Sequence, residues 1–133
     1  MNTEEEKLSL LSQLIELSKA DGYVSPEEIH FIHTIAQMIG VSEERALELF
    51  RNPTPFKAPK SEFDRILQFH RMILLMNVDY EVHEDELKQI KELGLKLGLP
   101  PQAILEVLRE MTKHDNHVIP PDELLAIFTK YHN

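Results

Sequence analysis

The apolar positions recur with a helical period almost everywhere, and no strand-like alternation persists. Leu8, Leu11, Leu14 and Ile15 form the first stripe, after Thr3 and Glu6 at capping-box spacing. Ile29, Ile32, Ala36 and Ile39 form the second, after Ser25 and Pro26. Leu47 and Phe50 mark a short third helix that begins at Ser42, just past Gly40. Residues 52–60 hold three prolines and are excluded from any helix; they read as a linker between two halves of one core. The fourth helix starts near Ser61 and carries Phe63, Ile66, Leu67, Phe69, Met72, Ile73, Leu74, Leu75, Met76 and Val78. It is apolar on nearly every side, which places it at the centre of the fold. Leu87, Ile90, Leu93 and Leu97 predict a fifth helix ending at Gly98. Ile104, Leu108 and Met111 predict a sixth after Pro100 and Pro101. Leu124, Ile127, Phe128 and Tyr131 predict a seventh after Pro120 and Pro121. The fold class expected is all-α, about seven helices and no sheet.

The chain also repeats itself. Shifted by 58 residues without a gap, ten of the 37 positions from Ile15 to Arg51 are identical, including Asp21/Asp79, Val24/Val82, Glu28/Glu86, Gly40/Gly98 and Leu47/Leu105. Chance gives roughly two or three. The expected organisation is a single domain over 1–133, with repeat one at about 3–51, the linker at 52–60 and repeat two at about 61–131.

The repeated turn carries the candidate chemistry. It runs from Asp21 to Ile29 in the first copy and from Asp79 to Leu87 in the second, with a degenerate third copy at Asp115–Leu124. Helix capping explains much of it. Gly22 suits a positive φ, Ser25 an N-cap, Pro26 the first helical position and Glu28 the closing of a capping box. Val24 and Ile29 have the spacing of a hydrophobic staple, which Val82 and Leu87 repeat around His83. Capping leaves unexplained the aspartate that recurs seven residues before the glutamate. A standard calcium loop is excluded, because its first ligand position falls on Leu17, Leu75 and Met111. Another arrangement stays open: Asp21, Glu28, Asp79 and Glu86 gathered on one acidic face. Carboxylates ~4 Å apart repel by roughly 4 kcal/mol at an effective dielectric of 20, and a divalent cation (Ca, Mg, Mn or Zn), a shared proton or a basic partner relieves that.

These turns resemble the tellurite-resistance TerB-like family. Its Ala-Asp-Gly-x-Val-x-x-x-Glu pattern is matched by Ala20, Asp21, Gly22, Val24 and Glu28, and again by Asp79, Val82 and Glu86, with Tyr80 where glycine is expected. The resemblance spans about residues 8–110. It implies an all-helical, internally duplicated, non-enzymatic module, tied to tellurite and other chemical stress, to membrane-associated complexes and to divalent cations at the acidic turn. The same domain is also appended to co-chaperone-like proteins.

Other constellations add minor alternatives. Glu27, His30 and His33 recur every three residues on one side of the second helix, a spacing at which ligands can share zinc, although a solvated polar face explains them too. His114 and His117 flank a helix end, where a histidine serves the last carbonyls. The His114-Asp115 pair is similar to the pair in metal phosphohydrolases, with His70 or His83 upstream and Asp122 downstream. No serine elbow supports nucleophilic catalysis. The four glycines, all at or near helix ends, build no phosphate cradle. Phe56 in the linker is either a plug between the halves or an exposed anchor.

Composition narrows the classes. Asp+Glu 23 against Lys+Arg 14 gives a net charge of −9, which repels phosphate backbones and argues against nucleic acid. There is no cysteine, so disulfides and thiolate chemistry are excluded. No apolar run approaches the ~20 residues of a membrane span, and the acidic opening lacks the order of a secretory signal. The expectation is a cytoplasmic protein that acts by binding a protein partner or a divalent cation, or else a purely structural adaptor.

Overall fold

The computed structural model describes residues 3–19, 22–76, 84–114 and 119–131, with the backbone alone at 76 and 84–86. Thr3 starts the first helix as its spacing predicts. Its Oγ1 accepts from the Glu6 amide at 3.2 Å, and Glu6 Oε1 accepts from the Thr3 amide at 2.9 Å. Helix α1 (Glu4–Ser18) is followed by α2 (Pro26–Met38), α3 (Glu43–Leu49), α4 (Glu62–Met76), α5 (Glu84–Lys96), α6 (Pro101–Met111) and α7 (Pro121–Lys130). Among the described residues there are seven helices and no strand. Ser42 caps α3 and Ser61 caps α4 through bonds to the Arg45 and Asp64 amides. Pro100 and Pro120 precede α6 and α7, each with a second proline at the first helical position, where a missing N–H costs nothing.

Helix bounds follow the 58-residue offset. Added to the bounds of α1 and α2, it gives 62–76 and 84–96, those of α4 and α5. Gly40 and Gly98, the glycines at the ends of α2 and α5, have φ 79° and 77°.

Helices α1 and α4 share the centre of the fold, with α4 packed against α1, α2, α5 and α7. Helix α1 packs against α2, α3, α4 and α5. Every one of its residues from Leu8 to Ile15 is buried, as are Leu17 and Ser18. Its serines tolerate this because they are satisfied. Ser12 Oγ accepts from the Thr54 amide at 3.0 Å and also bonds Thr54 Oγ1; Ser9 Oγ accepts from the Lys57 amide at 2.8 Å; Ser18 donates to the Ile15 carbonyl. The proline segment is therefore a strap laid along α1. Phe56 is half-buried against the core, with the Lys96 ammonium of α5 4.9 Å from its ring centre. Helix α4 is more one-sided than its composition predicts: Ile66, Phe69, Met72, Ile73 and Leu75 are buried, while Phe63 is 59% exposed. Helix α3 differs as well. Ala46 and Leu49 face the core, and Leu47 is exposed. Helix α7 packs against α4 and α6, with Phe128 set edge-on to Phe69 at 6.0 Å.

Candidate functional site

The turn before α2 is built from its own backbone outward. Gly22, at φ 84°, donates its amide to the Lys19 carbonyl at 2.9 Å and turns the chain out of α1. Ser25 then caps α2. Its Oγ accepts from the Glu28 amide at 3.1 Å, and its own amide donates to Glu28 Oε1 at 2.9 Å. Both residues are buried, which is unusual for a glutamate in a first helical turn. The N-terminal end of α2 favours that negative charge, and the Ser25 amide fixes its orientation. Glu27 is exposed, and Ile29 is 38% exposed.

The remaining members of the acidic set fall elsewhere. Asp21 and Asp79 lie outside the described residues. Glu86 is the third residue of α5, as Glu28 is the third of α2, and its side chain also lies outside them. Of the four predicted carboxylates, Glu28 is the one whose setting is defined.

Among the described residues the minor constellations are not assembled. His30 and His33 line a shallow hollow with Glu43 and Gln37, His33 Nδ1 being 3.9 Å from the Glu43 carboxylate; Glu27 is not part of it. Among the described residues no three His, Cys, Asp or Glu side chains converge as metal ligands. His114 does not serve helix carbonyls. Its Nε2 lies 3.1 and 3.0 Å from the two carboxylate oxygens of Glu123, joining the end of α6 to the start of α7. His70 Nε2 lies 3.4 Å from the Ile119 carbonyl, which accepts from it; burial lowers the ring's pKa, the bond to Ile119 raises it and the Arg71 charge lowers it. The two described histidines of the phosphohydrolase reading are thus in separate structural contacts, while His83, Asp115 and His117 lie outside the described residues.

Sequence reasoning missed three features. Glu106 accepts from the Tyr131 hydroxyl at 2.6 Å and from Lys130 Nζ at 3.0 Å, which lowers the carboxyl pKa and raises those of both donors. Gln68 is 1% exposed, and neither atom of its amide finds a partner among the described residues. Phe63, Ile66, Leu67, Pro121, Leu124 and Leu125 line an apolar groove between α4 and α7. The offset offered a signal for Gln68 alone, since its counterpart in repeat one is the core residue Leu10.

The family model described as tellurite resistance protein TerB matches residues 1–50. Over that stretch the chain is similar to TerB. The matched stretch contains α1, the Gly22–Glu28 turn, α2 and α3, so the buried capping glutamate lies inside the part that carries the likeness. No curated protein and no solved structure matches the chain. Among the described residues no helix is long and apolar enough to cross a membrane.

Proposed function

We propose that this TerB-like chain is a non-enzymatic, cytoplasmic binding module that holds a divalent cation on the turn from Asp21 to Glu28 and works through a protein partner in the response to tellurite or another chemical stress. The observation that carries the reading is the Glu28 carboxylate, buried and oriented by the Ser25 amide at the head of α2. The cap engages Oε1. A carboxylate has two oxygens and about four lone-pair sites, so capping and metal ligation are compatible in one side chain. Gly22 turns the chain between Asp21 and Glu28, and the offset gives Asp79 and Glu86 the matching positions in repeat two. An all-oxygen set of this kind favours Ca²⁺, Mg²⁺ or Mn²⁺ over Zn²⁺.

The completed capping box also supports a second reading, a structural adaptor whose turns cap helices and bind nothing. Thermal melting separates the two. At 100 times its dissociation constant, a bound cation adds ~2.7 kcal/mol, or roughly 8 °C for a chain of this size. The rise is expected with at least one of the four ions and is expected to vanish in Asp21→Asn. No rise with any ion leaves the adaptor.

A further inference from the structure

We infer that the open face of α3 is a homodimer contact, on which α3 of a second copy of this chain packs antiparallel about a twofold axis. This goes beyond the binding-module reading and rests neither on the cation nor on a foreign partner.

A groove of about 600 Å³ runs over α3 and the turn that follows it, lined by Glu44, Leu47, Glu48, Phe50, Arg51 and Asn52. Its middle is apolar. Leu47 is 49% exposed, and Phe50 is half-buried against the core. The face is also held in place. The Phe50 carbonyl accepts from Lys19 Nζ at 3.1 Å, which ties the end of α3 to the end of α1, so an incoming helix meets a preformed surface.

The charges at the two ends of the groove decide its occupant. Glu48 is already paired within the helix, with Arg45 at 3.2 Å. Glu44 and Arg51 both line the groove, both are exposed, and neither forms an ion pair among the described residues. Seven residues on a helical path set them about 10 Å apart along the axis, with Leu47 between them. A partner of one sign satisfies one end and is repelled by the other. The surface that matches both ends is this same face turned end for end. Arg51 of each copy then meets Glu44 of the other, and the Leu47 and Phe50 side chains of the two copies close over one another. In a twofold contact each of these pairs forms twice.

The second repeat shows that the set is particular to α3. Helix α6 carries Leu105, 44% exposed, and Arg109 at the matching positions, but Gln102 stands in place of Glu44 and Glu106 is taken up by Lys130 and Tyr131. The net charge of −9 opposes association at long range, but at ~0.15 M salt charges more than ~8 Å apart are largely screened. Two helical turns from each copy bury less than ~1,200 Å² in total, so the dimer is weak and reversible.

The test uses the full chain in EDTA at ~0.15 M salt, so that its result is independent of any cation, with sedimentation equilibrium from roughly 10 μM to 1 mM. A reversible dimer is expected. Leu47→Lys, Glu44→Arg and Arg51→Glu are each expected to weaken it at least about tenfold, and Leu105→Lys to leave it unchanged. All four altered side chains are exposed, and circular dichroism shows that each variant is folded. The decisive arm mixes the Glu44→Arg chain with the Arg51→Glu chain. Like charges meet in either homodimer, whereas unlike charges meet at both ends of the mixed pair, so mixing is expected to restore the dimer. A role of these residues in folding alone does not produce that rescue. A chain that stays monomeric throughout overturns the proposal and leaves the groove to a foreign partner. A dimer indifferent to the three substitutions, or no rescue on mixing, overturns it as well. So does a dimer lost in Phe63→Lys but kept in Leu47→Lys, which gives the contact to the groove between α4 and α7.

Discussion

Gly94 of α5 lies so close to Ile104 of α6 that a Cβ placed on it would fall 2.8 Å from Ile104 Cδ1, and 2.9 Å from Phe69 Cε1 of α4. Its role is close packing inside a helix, in contrast to the chain-reversing glycines at positive φ. On propensity alone, Gly94→Ala gains up to about 1 kcal/mol. Overpacking between two fully buried side chains costs typically ~1–3 kcal/mol, and both Ile104 and Phe69 are fully buried in the packed core. Overpacking therefore wins. Gly94→Ala is expected to lower the urea midpoint without changing the slope; a higher midpoint would show that α5 and α6 separate cheaply.

The unsatisfied amide of Gln68 predicts the opposite sign. An unmet buried polar group costs ~1–3 kcal/mol, and the repeat-equivalent position is filled by the fully buried Leu10. Gln68→Leu is expected to raise the melting temperature by several degrees. A lowered melting temperature would mean that the amide has a polar role in the folded core.

The strap makes a local prediction. Ser12→Ala leaves the Thr54 amide without its acceptor, and Ser9→Ala does the same to Lys57. Each is expected to cost about 1–3 kcal/mol, with hydrogen exchange accelerated first at 54 and 57. Exchange that accelerates uniformly would contradict a strap that opens on its own.

His70 gives a pH dependence. Its folded pKa is below 6.5, chiefly through burial, so the unfolded chain takes up this proton first as pH falls. The stability from neutral His70 is fully present well above the unfolded value of 6.5 and is lost as the pH falls through it towards the lower folded value. The stability gap between the wild-type chain and His70→Gln is expected to narrow between about pH 7.5 and pH 5.5. A constant gap would show that His70 does not titrate differently on folding.

Much of this architecture was legible in the chain. Capping pairs such as Thr3/Glu6 and Ser25/Glu28 located helix starts because their bonds are local, and the prolines located the breaks. Burial was less legible where it depends on distant partners. The serines of α1 look like a wet face until residues 54 and 57, far along the chain, bond to them. Phe63 and Leu47 look like core residues until neighbouring helices pass them by. The candidate site was legible to the same degree: Ser25 and Glu28 sit as their spacing predicts, whereas the groove joins α4 to α7 and has no local signature.

The most direct test of the cation site is a crystal structure of the full chain grown with Mn²⁺, read by anomalous scattering at the manganese edge. The account predicts a peak within about 2.0–2.6 Å of a Glu28 oxygen and an Asp21 oxygen, lost in Asp21→Asn. A map with no peak at the turn, and with Asp21 turned away from Glu28, would contradict it.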